Sequence, residues 1–246
     1  MKALTTTQMQ RLDRLTVKRY GVPVLLLMEN AGRAVAETTR EWLRKKRGRT
    51  ALILTGSGHN GGDGIVAARY LGNWGYQVKV LWVKDPALLE GDAGTHYRIA
   101  QRFGVPFQPF LLSSRHAVSR DPSYRADLIG PGLRIAGATE SRRNLQQADV
   151  LVDALLGTGL KGVVRDPYAS AITAINASRR PIIAVDIPSG LDANTGKPLG
   201  MAVKASVTVT MAAPKIGLLL PSAKPFVGRL KVADIGIPKK LIQKFL

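Results

Sequence analysis

Two aspartates in this 246-residue chain each close a run of apolar residues: Asp153 in VLVDALLGTGLKG and Asp186 in IIAVDIPSGLDANTG, with Ser189 three residues beyond the second. Carboxylates at the ends of buried strands can carry protons or ligate cations. Two of them side by side repel unless something positive lies between or beside them. Lys84, which follows the apolar run QVKVLWV and precedes Asp85, is one candidate for that charge, and a bound cation is another. The stretch TGSGHNGGDGIVAARYL, residues 55–71, adds His59, Asn60 and Asp63 among five glycines, and a second glycine loop, Gly157–Gly162, lies beyond Asp153. Glycines let a backbone approach a bound phosphate closely. The plainer reading of the first loop is a tight turn with Asp63 as a helix N-cap, worth about 1 kcal/mol.

Several chemistries are excluded by what accompanies these residues. GSGHNG matches the G-x-G-x-x-G dinucleotide fingerprint in form, but Asp63 would bring a carboxylate to the helix end where a pyrophosphate should dock. No Lys-Ser/Thr follows the glycines, so the loop is not a Walker A loop. No tyrosine is followed four residues later by lysine, which ranks a short NAD-dependent oxidoreductase last. The chain has no cysteine, which removes disulfides, thiolate metal sites and cysteine nucleophiles, and its three histidines (His59, His96, His116) argue against a histidine-rich zinc site. A bound metal would be held by oxygen.

The elements that must position these groups follow from hydrophobic periodicity. An N-terminal block, TTTQMQRLDRLTVKRYG, carries Met9, Leu12, Leu15 and Val17 near helical spacing and ends at Gly21-Val22-Pro23. A second amphipathic helix spans 24–46 with a basic end suited to a helix C-terminus. From residue 50 apolar runs alternate with helical segments. Strands are expected at 50–55, 77–83, 149–156, 181–187, 206–212 and 228–235, with helices at 64–74, 90–103, 139–147 and 167–178. That alternation predicts an α/β fold, Rossmann-like and doubly wound, with a mostly parallel sheet covered by helices on both faces. The stretch 105–138 yields one strand near 107–112 and then loop-like sequence. A single domain over 1–246 is expected, with N-terminal helices in 1–48 and the Rossmann-like core in 49–246. In such sheets ligands sit outside the carboxyl ends of the strands, where Lys84, Asp153 and Asp186 all fall.

Composition adds one extreme number, a formal net charge of +19. Runs such as RKKRGR, 44–49, could meet nucleic acid, but the basic residues are spread along the chain and only 6% of residues are aromatic. A solvated basic face is the favoured reading. No run approaches 18 apolar residues and the N-terminus is charged, so a cytoplasmic protein without a membrane segment is expected.

Five segments together carry a likeness. LLMENAGRAVAE, GSGHNGGDGIVAARYL, VDALLGTGLKG, VDIPSGLDANTG and APKIGLLLP with GRLKVADIGIP occur in the order and approximate spacing of one family. The chain resembles, over nearly its whole length, the NAD(P)HX epimerase family, also called the YjeF N-terminal domain family. The resemblance implies interconversion of the R and S epimers of hydrated NADH and NADPH, feeding a separate dehydratase that acts on the S form. It implies a first substrate-binding loop of His59, Asn60, Gly61, Gly62 and Asp63. A second comprises Gly157, Thr158, Gly159, Leu160, Lys161, Gly162 and Val163. It further implies a potassium ion held by Asn60, Asp153 and Ser189, acid-base chemistry by Asp186 in contact with substrate, and a lysine near the nicotinamide at Lys84. A homodimer, a dinucleotide substrate and the dehydratase are the partners to expect. His59 stands where the family's wording has an amide, and the dehydratase domain often fused downstream in bacteria is not read in this chain. A non-catalytic scaffold of messenger-RNA decay, built on the same fold, is the rival reading, and +19 suits it.

Overall fold

The computed structural model describes residues 2–111 and 131–246, with the side chains of 131–137 left aside. His116 and most of the loop-like stretch lie outside the described residues. The N-terminal block forms α1 (Thr6–Tyr20), and the second amphipathic segment forms α2 (Val24–Lys46). A capping box starts α1: Thr5 Oγ1 accepts from the Gln8 amide, and Gln8 Oε1 accepts from the Thr5 amide. Gly21 ends it in the left-handed region at φ 66°. Arg44, Lys45 and Lys46 fill the last turn of α2, where cations complement the helix dipole.

The core follows in the order β1 (Thr50–Thr55), α3 (His59–Asn73), β2 (Gln77–Trp82), α4 (Gly91–Arg102), β3 (Phe107–Pro109), α5 (Pro131–Gln147), β4 (Val150–Ala154), α6 (Tyr168–Ala177), β5 (Ile182–Val185), β6 (Val207–Met211), α7 (Lys224–Val227), β7 (Arg229–Ala233) and α8 (Lys239–Gln243). One sheet of seven strands runs β3-β2-β1-β4-β5-β6-β7, and every pairing is parallel. Strand neighbours alternate faces. Ala51 and Ile53 pack with Leu12 of α1, Val35 of α2 and Ala67 of α3, whereas Leu52 and Leu54 pack with Leu145 of α5 and Ile172 and Ile175 of α6. Helices therefore cover both faces in three layers, which is why the central strands read as unbroken apolar runs.

β1, β5 and β6 lie inside the expected spans, but two differences bear on the site. First, α3 begins at His59, not 64, so the polar loop residues form the helix's first turn. The expectation failed because glycine is a poor helix former, whereas here glycine is needed for contact. A Cβ on Gly61 would lie 2.1 Å from Gly56 O, and one on Gly56 would lie 2.0 Å from Leu155 O. Only bare backbone lets α3 descend this close to β1 and β4. Second, Asp63 is not a cap: Gly58 holds the N-cap position, and no side chain caps this helix. The connection between β1 and β4 is also the point where the winding reverses, since β2 and β3 extend the sheet one way and β5–β7 the other. Among the described residues no helix is long and apolar enough to cross a membrane.

Candidate functional site

At the reversal point the first turn of α3 faces the chain leaving β4. Asp153 does not sit at a free strand tip. It lies inside β4, beside Leu54 of β1 and Ala184 of β5, and is fully buried. Its Oδ2 accepts from the Ser189 amide at 2.8 Å, and its Oδ1 accepts from Ser189 Oγ at 2.6 Å and the Leu155 amide at 3.3 Å. Burial pushes its carboxyl up to about 6, and the hydrogen bonds from Ser189 and Leu155 work against that rise. Asn60 Nδ2 donates to Leu156 O at 3.1 Å, and Ser189 Oγ reaches the same carbonyl at 3.2 Å. Asn60 and Ser189 thus meet at one carbonyl, and Ser189 ties Asp153 to them.

Asp186 occupies a different kind of position. It follows β5 in the left-handed region at φ 62°, and the Ile187 amide donates back to Val185 O at 2.7 Å, forming a γ-turn centred on Asp186. Ala212 repeats the arrangement after β6: φ 60°, with the Ala213 amide donating to Met211 O at 2.7 Å. Non-glycine residues in this region cost of order 1–3 kcal/mol, and such turns collect at functional sites. Asp186 Oδ1 accepts from the Met211 amide at 3.1 Å, from Thr210 Oγ1 at 3.3 Å and from Lys215 Nζ. Lys215 is 2% exposed, and its ammonium also donates to Thr210 Oγ1 at 3.0 Å. The N-terminal segment fixes its backbone, because the Leu4 amide donates to Pro214 O and the Ile216 amide to Leu4 O. The cation beside Asp186 is therefore Lys215, from the segment APKIGLLLP, where nothing in the local sequence marks it.

Two further carboxyls feel the charges of this ion pair. Burial pushes Asp63, in α3, well above the usual carboxylate range; the Asp186 charge adds to the rise and Lys215 opposes it. Asp13, from α1, is pushed up to about 6 by burial, with Lys215 and His59 pulling it down and Asp186 pushing it up. The N-terminal helix thus brings a carboxyl within electrostatic reach of the pair. Its position among QMQRLDRL offered no signal beyond an acid beside the apolar stripe.

Lys84 has other neighbours. It lines a cavity of about 570 Å³ with Leu160, Lys161, Arg165, Asp166 and Tyr168. The second glycine loop, Gly157 to Val163 with Thr158 and Gly159 at its tip, runs along this cavity through Lys161, Gly162 and Val163. The candidate residues accordingly fall into two adjoining neighbourhoods: an Asp-Lys pair with further carboxyls at the ends of β5 and β6, and a basic cavity beside β2 and β4.

Comparison with known proteins matches residues 24–217 to the family model described as YjeF-related protein N-terminus. The chain is 41% identical over 243 residues to a protein of Moorella thermoacetica named bifunctional NAD(P)H-hydrate repair enzyme Nnr, covering 98% of this chain and 42% of that protein. It is 36% identical to the NAD(P)H-hydrate epimerase of Lentilactobacillus buchneri, covering 96% of this chain and 95% of the relative. It is 34% identical to the NAD(P)H-hydrate epimerase of Rhodopirellula baltica, covering 98% and 87%. The chain spans about two-fifths of the bifunctional relatives, at 42% of their length. The crystal structure of a yeast protein, ynu0, superposes with a TM-score of 0.75 at 21% identity over 100% of this chain and 93% of that one, a likeness of fold.

Proposed function

We propose a function on the premise that the chain belongs to the YjeF-related protein N-terminus family: it interconverts the R and S epimers of hydrated NADH and NADPH. The observation that carries this reading is the asymmetry of Asp186. Among the described residues every hydrogen bond to its carboxylate ends on Oδ1, which leaves Oδ2 of a side chain 16% exposed for a substrate. Epimerisation at C6 requires the C6–O bond to break and re-form on the other face. One proton goes to the departing hydroxyl and is recovered from the returning water. Asp186 Oδ2 carries that proton, and Lys215, Thr210 and the Met211 amide hold the other oxygen so that the carboxylate does not rotate away.

The nicotinamide lies at the ends of β5 and β6, and the pyrophosphate at the first turn of α3, where the amides of His59, Asn60 and Gly61 precede the helix's first backbone hydrogen bond, from the Gly62 amide to Gly58 O, and Asp63 is buried a turn further on. Asn60, Asp153 and Ser189 suit a potassium ion: amide, carboxylate and hydroxyl oxygens with one formal charge fit a hard monovalent cation better than a divalent one. When bound, such an ion supplies positive charge that offsets the buried Asp153 and fixes the loop after β4. Lys84, expected near the nicotinamide, is better read as a binding residue, since the ammonium on Asp186 is that of Lys215.

The continuous sheet supports treating 1–246 as one domain. A cytoplasmic location, a homodimer and a separate dehydratase that consumes the S epimer complete the proposal. The RNA-scaffold alternative rests on the shared fold and net charge, whereas the relatives carry enzyme names. The test is to supply purified protein with the R form and follow the S form by chromatography; no interconversion above the spontaneous rate would refute the activity.

A further inference from the structure

The reading above leaves the basic cavity with no assigned moiety. Lys84 stands directly after β2, while Asp186 stands after β5 on the other side of β1 and β4. Three strand spacings separate those two ends, about 14 Å at roughly 4.8 Å per strand. With the nicotinamide at Asp186 and the pyrophosphate at the start of α3, a dinucleotide laid across the strand ends brings its adenosine ribose to the end of β2. In sheets wound this way an acid near that end accepts a hydrogen bond from the ribose 2′-hydroxyl, and a basic residue nearby accommodates a 2′-phosphate.

Among the described residues, two carboxylates near this cavity accept hydrogen bonds within their own segments. Asp85 Oδ1 accepts from the Ala87 amide at 2.9 Å within its own turn. Asp166 Oδ1 accepts from the Ser170 amide at 3.0 Å and from Ser170 Oγ at 2.6 Å. Lys84, Lys161 and Arg165 supply the cationic wall. Tyr168 brings an aromatic face: its Cε1 lies 3.2 Å from where a Cβ on Gly56 would stand, so the ring borders the loop assigned to the pyrophosphate.

We propose that the cavity of Lys84, Lys161, Arg165 and Tyr168 binds the adenosine half of the substrate through its 2′-phosphate, so that this chain selects hydrated NADPH over hydrated NADH. The assignment rests on the epimerase reading for its substrate but not for its measurement. Titration calorimetry with adenosine 2′,5′-bisphosphate and adenosine 5′-monophosphate tests the cavity without turnover. The bisphosphate is expected to bind about tenfold tighter or more, as one added set of charge-assisted hydrogen bonds provides. Lys84→Met and Arg165→Gln should each cut that preference severalfold while changing monophosphate affinity by less than about twofold.

The ratio of kcat/KM for the two hydrates should follow the same order, with the loss in KM. Equal affinities for the two nucleotides, or a Lys84→Met variant that loses kcat equally on both hydrates, would overturn the proposal while leaving the epimerase standing. A bisphosphate preference that Lys84→Met abolishes, in a protein without epimerase activity, would support the cavity and remove the epimerase.

Discussion

Asp153 and Asp186 look alike in the sequence, each an aspartate after an apolar run, and the structure gives them opposite designs. Asp153 is enclosed in its strand, with donors on both oxygens and, among the described residues, no ammonium. Asp186 stands past its strand in a strained turn, with three donors on one oxygen, one of them a buried lysine. A carboxylate tied on both oxygens is a fixed part of the frame and can serve as a ligand. One tied on a single oxygen is held still and remains reactive. The repulsion expected between the two is relieved separately, by hydroxyl and amide donors at Asp153 and by Lys215 at Asp186.

The contrast is broken most sharply by Asp186→Asn. The amide keeps the shape but cannot cycle a proton, so epimerisation should fall by about 10²–10⁴-fold while dinucleotide affinity changes little. Turnover near that of the unaltered protein would erase the distinction. Asp153→Ala should act on the frame. It strips the acceptor from the buried Ser189 amide, Ser189 hydroxyl and Leu155 amide, and should lower unfolding free energy in urea by about 1–3 kcal/mol. Any stabilisation by potassium should disappear with it, and an unchanged midpoint would mean that these donors find other acceptors.

The smallest effect sharpens the comparison from α1. Asp13 has a folded-state value of about 6 against 3.8 in the unfolded chain, so the folded protein holds this proton more tightly. Its contribution is full below the lower value and is lost as pH rises through about 6, so stability should decline across that window. Asp13→Asn should flatten that part of the profile, measured as melting temperature against pH. Identical slopes in the two proteins would exclude the role.

Much of the frame was legible because parallel strands covered on both faces leave long apolar runs with few alternatives. TALILT maps onto β1 residue for residue, and PIIAVDI contains β5. Asp153, Asp186, Ser189 and Asn60 could be singled out as candidates because they lie in or just beyond apolar runs that lead into glycine loops or turns. Lys215 and Asp13 could not. Lys215 is distinguished by burial against a partner 29 residues away, a pairing that no local pattern encodes. Asp13 lies on an ordinary amphipathic helix, and only its burial and its distant charged neighbours, Lys215, Asp186 and His59, single it out. The start of α3 differs from expectation for a related reason: its glycines serve contacts with Gly56, Met28 and Ala154 that local propensity does not weigh.

The central place of β1 also sets the timing of synthesis. The amides of Arg49 and Thr50 are closed by Asp149 Oδ2, at 2.7 and 2.9 Å, across a separation of 100 residues in the first case. At roughly 5–20 residues per second, a ribosome needs about 5–20 s to deliver that partner after β1 has been made. For that interval the apolar edge of β1 that will receive β4 stands open on the nascent chain, and the first turn of α3 has no floor to rest on. Protease protection of arrested chains would time the closing of that window, during which the half-made protein is most exposed to wrong pairing.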